Sequence, residues 1–164
     1  MTRHLRIRFA TVDDVPLIRT LIGGLAEYER LANEAVVTEA DLRASLFGER
    51  PAAEVLIAEA GDEAAGFALF FHNYSTFLGK PGLYLEDLFV FPAHRGLGIG
   101  RALMSRLAQL AVERNCGRFE WWVLDWNESA IRFYETLGAR AMSDWTVYRL
   151  SGEPLARLAR EGGG

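Results

Sequence analysis

Cysteine is nearly absent from this chain: Cys116 stands alone among 164 residues. One thiol can form neither an intrachain disulfide nor a cysteine-based zinc cluster. Histidine is almost as scarce, and His4, His72 and His94 lie scattered along the chain. A histidine-rich metal centre is therefore not expected, and the reading carries no metal. No stretch approaches the ~20 apolar residues that span a bilayer. The N-terminal MTRHLRIRFATVDD meets charge before any apolar core of leader length. Excess charge is small as well, with 22 acidic side chains against 18 basic ones. That balance offers no basic footprint for nucleic acid or an anionic membrane, and it slightly favours a cationic small molecule. The expectation is a cytoplasmic globular protein.

The chain is long enough for one domain with a sizeable core and too short for two comfortable ones. LRIRFA alternates Leu5, Ile7 and Phe9 against Arg6 and Arg8, the pattern of a half-buried strand. Thr11 with Asp14, and Thr38 with Asp41, are cap signals opening two helices. The first carries Val15, Ile18, Leu21, Ile22, Leu25 and Tyr28 at helical spacing, and Gly48 can end the second. EVLIAEA, AAGFALFFHNY and LYLEDLFVF follow as three strands with hairpin-like connections. A helix over 98–115, a strand in RFEWWVLDW, a helix capped by Asn127 and stopped by Gly138, and a last strand in WTVYRL complete the order. The fold class is α/β with a mixed sheet. The terminal Gly162–Gly164 is expected to fray.

The segment from Arg95 to Arg101, RGLGIGR, is the strongest chemical signal. It joins a strand to a helix, where free backbone N–H groups and the positive end of the helix dipole converge. Glycine lets that backbone approach a bulky anion, and Arg95 and Arg101 add charge, so a phosphate or pyrophosphate is the expected ligand. The Walker pattern is excluded because Arg101-Ala102 stands where Lys and Ser or Thr are needed. The dinucleotide fingerprint breaks at its last position. On the loop alone, close packing of a helix on a sheet remains the alternative.

Arg95-Gly96-Leu97-Gly98-Ile99-Gly100 resembles the Arg/Gln-x-x-Gly-x-Gly/Ala loop of the GCN5-related N-acetyltransferase superfamily. YLEDLFVFPAHRGLGIG, WNESAIRFYETLGA and LAEYERL are further similar to the diamine (spermidine/spermine-type) and thialysine N-acetyltransferases, in family order from Ile7 to about Leu158. The resemblance implies one acetyltransferase domain over 1–164, with 151–164 as a C-terminal extension. It implies a mostly antiparallel sheet in which two neighbouring parallel strands splay apart around acetyl-CoA. Leu88, Phe89 and Val90 would pair with the pantetheine arm through their backbone. Residues Arg95, Gly96, Leu97, Gly98, Ile99, Gly100 and Arg101 would hold the pyrophosphate, and Asn127, Ser129, Ala130 and Tyr134 would line the other side. Coenzyme A would be a product, and the family is usually homodimeric. SGEPLARLAR is suited to an amphipathic helix reaching a partner copy.

Acetyl transfer from a thioester to an amine needs no covalent enzyme intermediate, so Cys116 need not react. It does need a neutral amine. The resemblance assigns Glu86 to the reacting amine and its deprotonation, and Asp87, Tyr28 and Glu29 to the acceptor site. Glu86 and Asp87, adjacent on a strand, are expected on opposite faces. Tyr134 is assigned beside the thioester sulfur as general acid, while spacing alone would make it a core residue beside Phe133. Trp121 or Trp122 is the aromatic candidate for the acceptor pocket. Polyamine-specific relatives carry an Asp and a Trp in the loop where this chain has Ser75-Thr76-Phe77, with a Glu near Thr146 and a Trp at Tyr148. Losing those contacts argues for a smaller amine or an amino acid with a side-chain amine.

Overall fold

The computed structural model describes residues 4–162. Contacts divide it into two compact units, Met1–Leu124 and Asp125–Gly164. The first holds a five-stranded sheet in the spatial order β1 (Leu5–Phe9), β2 (Glu54–Ala60), β3 (Glu63–Ser75), β4 (Lys80–Val90), β5 (Arg118–Trp121). The first four pair antiparallel, and β4 and β5 pair parallel. The mixed sheet and its parallel pair match the expected fold class.

Two helices, α1 (Val15–Tyr28) and α2 (Glu39–Phe47), cover one face of this sheet. The Thr38 cap opens α2 as expected, whereas the Thr11–Asp14 box caps a single 3-10 turn, Val12–Asp14, that leads into α1. Asp41 N–H donates to Thr38 Oγ1 at 3.1 Å while the Thr38 N–H donates to the Asp41 carboxylate at 2.8 Å. That reciprocal bond holds the Asp41 carboxyl below its ordinary range. Val15, Ile18, Leu21 and Leu25 are buried at 3–4-residue intervals against Val55, Ile57, Phe67 and Phe89. Strand neighbours share a face, so Ile57, Phe67 and Phe89, which lie opposite one another, define the α1 side. The helix α3 (Ile99–Glu113) packs against the strands too, burying Leu103, Leu107 and Leu110. A two-pronged Arg114–Glu54 ion pair, 2.6 and 3.0 Å, fastens its C-terminal end to β2.

Gly24 matters to the site. A Cβ there would come within 2.8 Å of the Phe89 ring, so its absence lets α1 lie directly on β4.

The second unit contains α4 (Glu128–Thr136) and α5 (Gly152–Glu161). The Asn127 side chain caps α4 by accepting from the Ala130 N–H at 3.3 Å, and Gly138 leaves the helix at φ +85°. The amphipathic segment SGEPLARLAR is helical as expected.

Three boundaries depart from the sequence reading. RFEWWVLDW is a strand only over Arg118–Trp121. The loop expected before LYLEDLFVF is partly strand, because β4 already pairs from Lys80 through Pro81 and Gly82. WTVYRL is no strand at all: it joins no ladder, and Trp145, Val147, Tyr148 and Leu150 are exposed. Alternating side chains describe a suitable strand, but a strand exists only where its N–H and C=O groups find a neighbour. Of the expected frayed tail, 163–164 lie outside the described residues.

Candidate active site

The parallel pair ends before β4 does. Its last register is Leu85 opposite Trp121, whereas β4 continues to Val90. Among the described residues, 86–90 therefore have no β5 ladder partner, and their backbone on that edge is open to another extended group. This is the expected splay, and Leu88, Phe89 and Val90 lie along it.

Immediately beyond comes the glycine turn. Gly96 and Gly98 have φ +77° and +78°, a region L-residues rarely enter, and a Cβ built on either would meet nothing within 4 Å. Their bareness thus serves backbone conformation and open space rather than close packing. Gly100 lies inside the first turn of α3, whose first intrahelical bond runs from the Ala102 N–H to the Gly98 carbonyl. The N–H groups of Ile99, Gly100 and Arg101 precede that bond, and no side chain caps the helix. Three donors, the helix dipole and an unobstructed main chain suit a diphosphate. Leu97 and Arg101 are exposed beside them.

On the α1 side, β4 carries a bulge. Leu85 lies opposite Phe70 and Asp87 opposite Leu69, so Glu86 is the extra residue. Without it Leu85 and Asp87 would share a face. With it, Asp87 turns to the α1 side while Leu85 stays buried on the other. The expected simple alternation of Glu86 and Asp87 gives way to one acidic cluster. Burial first, then the charges of Glu86 and Glu29, push Asp87 up to about 7. Burial and then Glu86 also raise Glu29, at the end of α1. Tyr84 is raised too, by burial followed by Glu86 and Glu120.

Tyr84 and Glu120 did not stand out in the sequence. They lie opposite one another on β4 and β5. Trp122 meets the Tyr84 ring edge-on, with centroids 5.9 Å apart. Trp121 instead shares its face with Leu85 and packs on Phe119 at 4.9 Å. Of the two tryptophans considered, Trp122 is the one whose ring meets Tyr84.

Arg95 folds back from the loop toward α1. Its Nε donates to the Val90 carbonyl at 3.0 Å, and its guanidinium stacks 5.0 Å from the Tyr28 ring and 5.5 Å from that of Phe89. Tyr28, Glu29, Glu86 and Asp87 are thus gathered between the end of α1 and β4.

In the second unit, Asn127, Ser129, Ala130 and Tyr134 all belong to α4 and its cap. Ser129 Oγ donates to the Asn127 side-chain carbonyl at 3.3 Å, alongside the Ala130 N–H. Tyr134 is half-buried with its ring 5.5 Å from Phe133. Among the described residues, no group of three or more His, Cys, Asp or Glu side chains could hold a metal ion.

The glycine turn on a splayed parallel pair, followed by a capped helix bearing a tyrosine, corresponds to the acetyltransferase (GNAT) family, whose profile matches residues 24–139. The chain is 38% identical to the thialysine N-epsilon-acetyltransferase of Sus scrofa, over 93% of this chain and 96% of that one. It is 35% identical to the L-ornithine N5-acetyltransferase of Arabidopsis thaliana, covering 93% and 87%. An integron cassette protein from the mobile metagenome of V. cholerae superimposes with a TM-score of 0.80 at 29% identity, covering 98% and 99%. The protein belongs to the GNAT acetyltransferase family and is an N-acetyltransferase. No helix among the described residues is long and apolar enough to cross a membrane.

Proposed function

We propose that the protein moves an acetyl group from acetyl-CoA directly onto the terminal primary amine of a small cationic acceptor, a diamine or a lysine- or ornithine-like amino acid. The observation that carries this reading is the juxtaposition along one strand of an acidic cluster, an unpaired backbone edge and a bare, uncapped helix start. The relatives whose names specify thialysine and L-ornithine support the acceptor class. The segment where polyamine-specific relatives place acidic and aromatic contacts here presents exposed Thr76 and Phe77 and no carboxylate, which weighs against a long polyamine.

Bound acetyl-CoA would supply a thioester carbonyl and a thiolate leaving group. The main chain of Leu88, Phe89 and Val90 offers hydrogen bonds to its amide-bearing arm, and the N–H groups around Gly96–Arg101 offer charge compensation to its diphosphate. An alkylammonium of pKa ~10.4 must lose a proton, which costs roughly 4 to 5 kcal/mol at pH 7. Glu86 and Asp87 attract the cation and share the work of taking that proton, directly or through water. A carboxyl pushed up to about 7 has the affinity to hold a proton at neutral pH, which an ordinary aspartate lacks. Glu29 adds attraction for the ammonium, and Tyr28 and an adjacent tryptophan, Trp121 or Trp122, border its stem. Tyr134 hydrogen-bonds the departing sulfur. Full transfer from a phenol of pKa ~10 to a thiolate of pKa ~8.5 is uphill by about 2 kcal/mol, so stabilisation of the thiolate is its main role. Asn127, Ser129 and Ala130 line the cofactor side of α4.

The same reading makes 1–164 one cytoplasmic acetyltransferase domain, since the family match crosses from the first compact unit into the second. It also makes the protein a homodimer, with the exposed Trp145, Val147, Tyr148 and Leu150 as candidates for burial against a second copy. Light scattering should give twice the chain mass. For the activity, thiol release from acetyl-CoA is measured with diamines, thialysine, lysine, ornithine and a lysine peptide. Release with the small amines is expected. Release with the peptide alone would make the protein a protein acetyltransferase, and tight coenzyme A binding with no release would make it a binding module.

A further inference from the structure

We propose that His94 is a positioning residue of the donor site: buried at the base of the glycine turn and paired with Glu63 of β3, its imidazole sets where the main chain of Gly96–Arg101 stands and so governs affinity for coenzyme A without touching it. The proposal rests on the acetyltransferase reading above, which places the donor's diphosphate on that main chain.

The turn has little else to hold it. Of the described residues from Pro92 to Gly98, only His94 is buried. Gly96 and Gly98 add the freedom of bare backbone. The Arg95 side chain bonds the Val90 carbonyl, which ties the turn only to the strand it has just left. His94 ties it to a different strand. The Phe91 N–H donates to the Ala65 carbonyl at 2.8 Å, one residue beyond the last β3–β4 register of Gly66 with Val90. The His94 N–H then donates back to the Phe91 carbonyl at 2.9 Å, closing the 3-10 turn Pro92–His94. That turn carries the imidazole to Glu63, two residues before Ala65 on β3, where Nε2 lies 3.5 Å from the carboxylate.

Packing alone would be served better by an apolar side chain. The Nδ1 of His94 is buried with no hydrogen-bond partner among the described residues, and such an atom gives up its hydration without return. The fold carries that cost for the nitrogen on the other side of the ring, the one facing Glu63. A carboxylate at one ring nitrogen fixes the orientation and tautomer of an imidazole. The pair therefore sets the direction of the anchor as well as its depth. Several N–H groups must converge on one diphosphate, so a shift of ~1 Å in the turn weakens them together.

Calorimetry of coenzyme A with the folded variants tests this without an acceptor. His94→Leu fills the space but lacks the ring nitrogens, and it should raise the Kd at least fivefold. His94→Gln, whose amide nitrogen can take the place of Nε2, should stay within twofold of wild type. Glu63→Ala, a change at a mostly exposed side chain, should raise the Kd at least threefold alone and add nothing to His94→Leu. In thiol release, His94→Leu and Glu63→Ala should raise the KM for acetyl-CoA and leave kcat and the amine KM within twofold, a split that general loosening of the fold would not give. Leu and Gln variants that bind alike, or a Glu63→Ala protein that binds as wild type does, overturn the proposal and leave the activity standing. Wild-type protein that binds no coenzyme A overturns the acetyltransferase reading and this proposal with it.

Discussion

Replacing Asp87 with Asn removes a charge that the fold holds at a cost, so the variant should gain stability while losing activity, and the gain should depend on pH. The carboxyl rises from 3.8 to about 7 on folding, roughly three pK units. At about 1.4 kcal/mol per unit, the ionised form costs about 4 kcal/mol in the folded protein. Between pH 3.8 and 7 the folded state keeps a proton that the unfolded chain has released. Wild-type stability therefore falls as pH rises through that window, with the penalty absent below it and complete above it. Asparagine has no such dependence. The advantage of Asp87→Asn over wild type should be near zero at pH 3.5, about 1.5 kcal/mol at pH 5 and at most about 4 kcal/mol at pH 8, where solvent screening lowers it. Urea unfolding of both proteins at pH 5 and pH 8 reads this directly. A variant equally displaced at both pH values, or less stable than wild type at pH 8, would refute the argument that burial beside Glu86 and Glu29 loads this carboxyl. Acetylation at pH 7 should drop at least tenfold in the same variant.

Tyr134→Phe should lower turnover at least tenfold with little change in coenzyme A affinity; an unaltered rate removes the hydroxyl from the chemistry. Gly98→Ala should cost about 1 kcal/mol of stability, because φ +78° strains any L-residue, and should raise the KM for acetyl-CoA more than that for the amine.

Much of this was legible in the sequence because the signals are local. The Thr11 and Thr38 caps, the Asn127 cap and the Gly138 stop each depend on three or four consecutive residues, and each forms where expected, the Thr11 box on the 3-10 turn that leads into α1. So does the glycine turn, since a strand followed by bare backbone and a helix is readable in one stretch. What stayed hidden depends on partners distant in the chain. The bulge at Glu86 exists only in relation to Leu69 and Phe70 of β3, and it decides which way Asp87 points. The split between Trp121 and Trp122 follows from the point where β5 leaves the ladder. WTVYRL carried a strand pattern without a strand partner. The stacking of Arg95 on Tyr28 needs α1 to lie close on Phe89, and that in turn needs Gly24, an unremarked residue inside a helix.

Isothermal calorimetry of coenzyme A with the folded protein goes most directly to the assignment of the donor site to the turn beyond β4. A saturable heat fitting one site per chain, weakened in Gly98→Ala, is the predicted result. No heat from protein whose circular dichroism is that of a folded chain would contradict it.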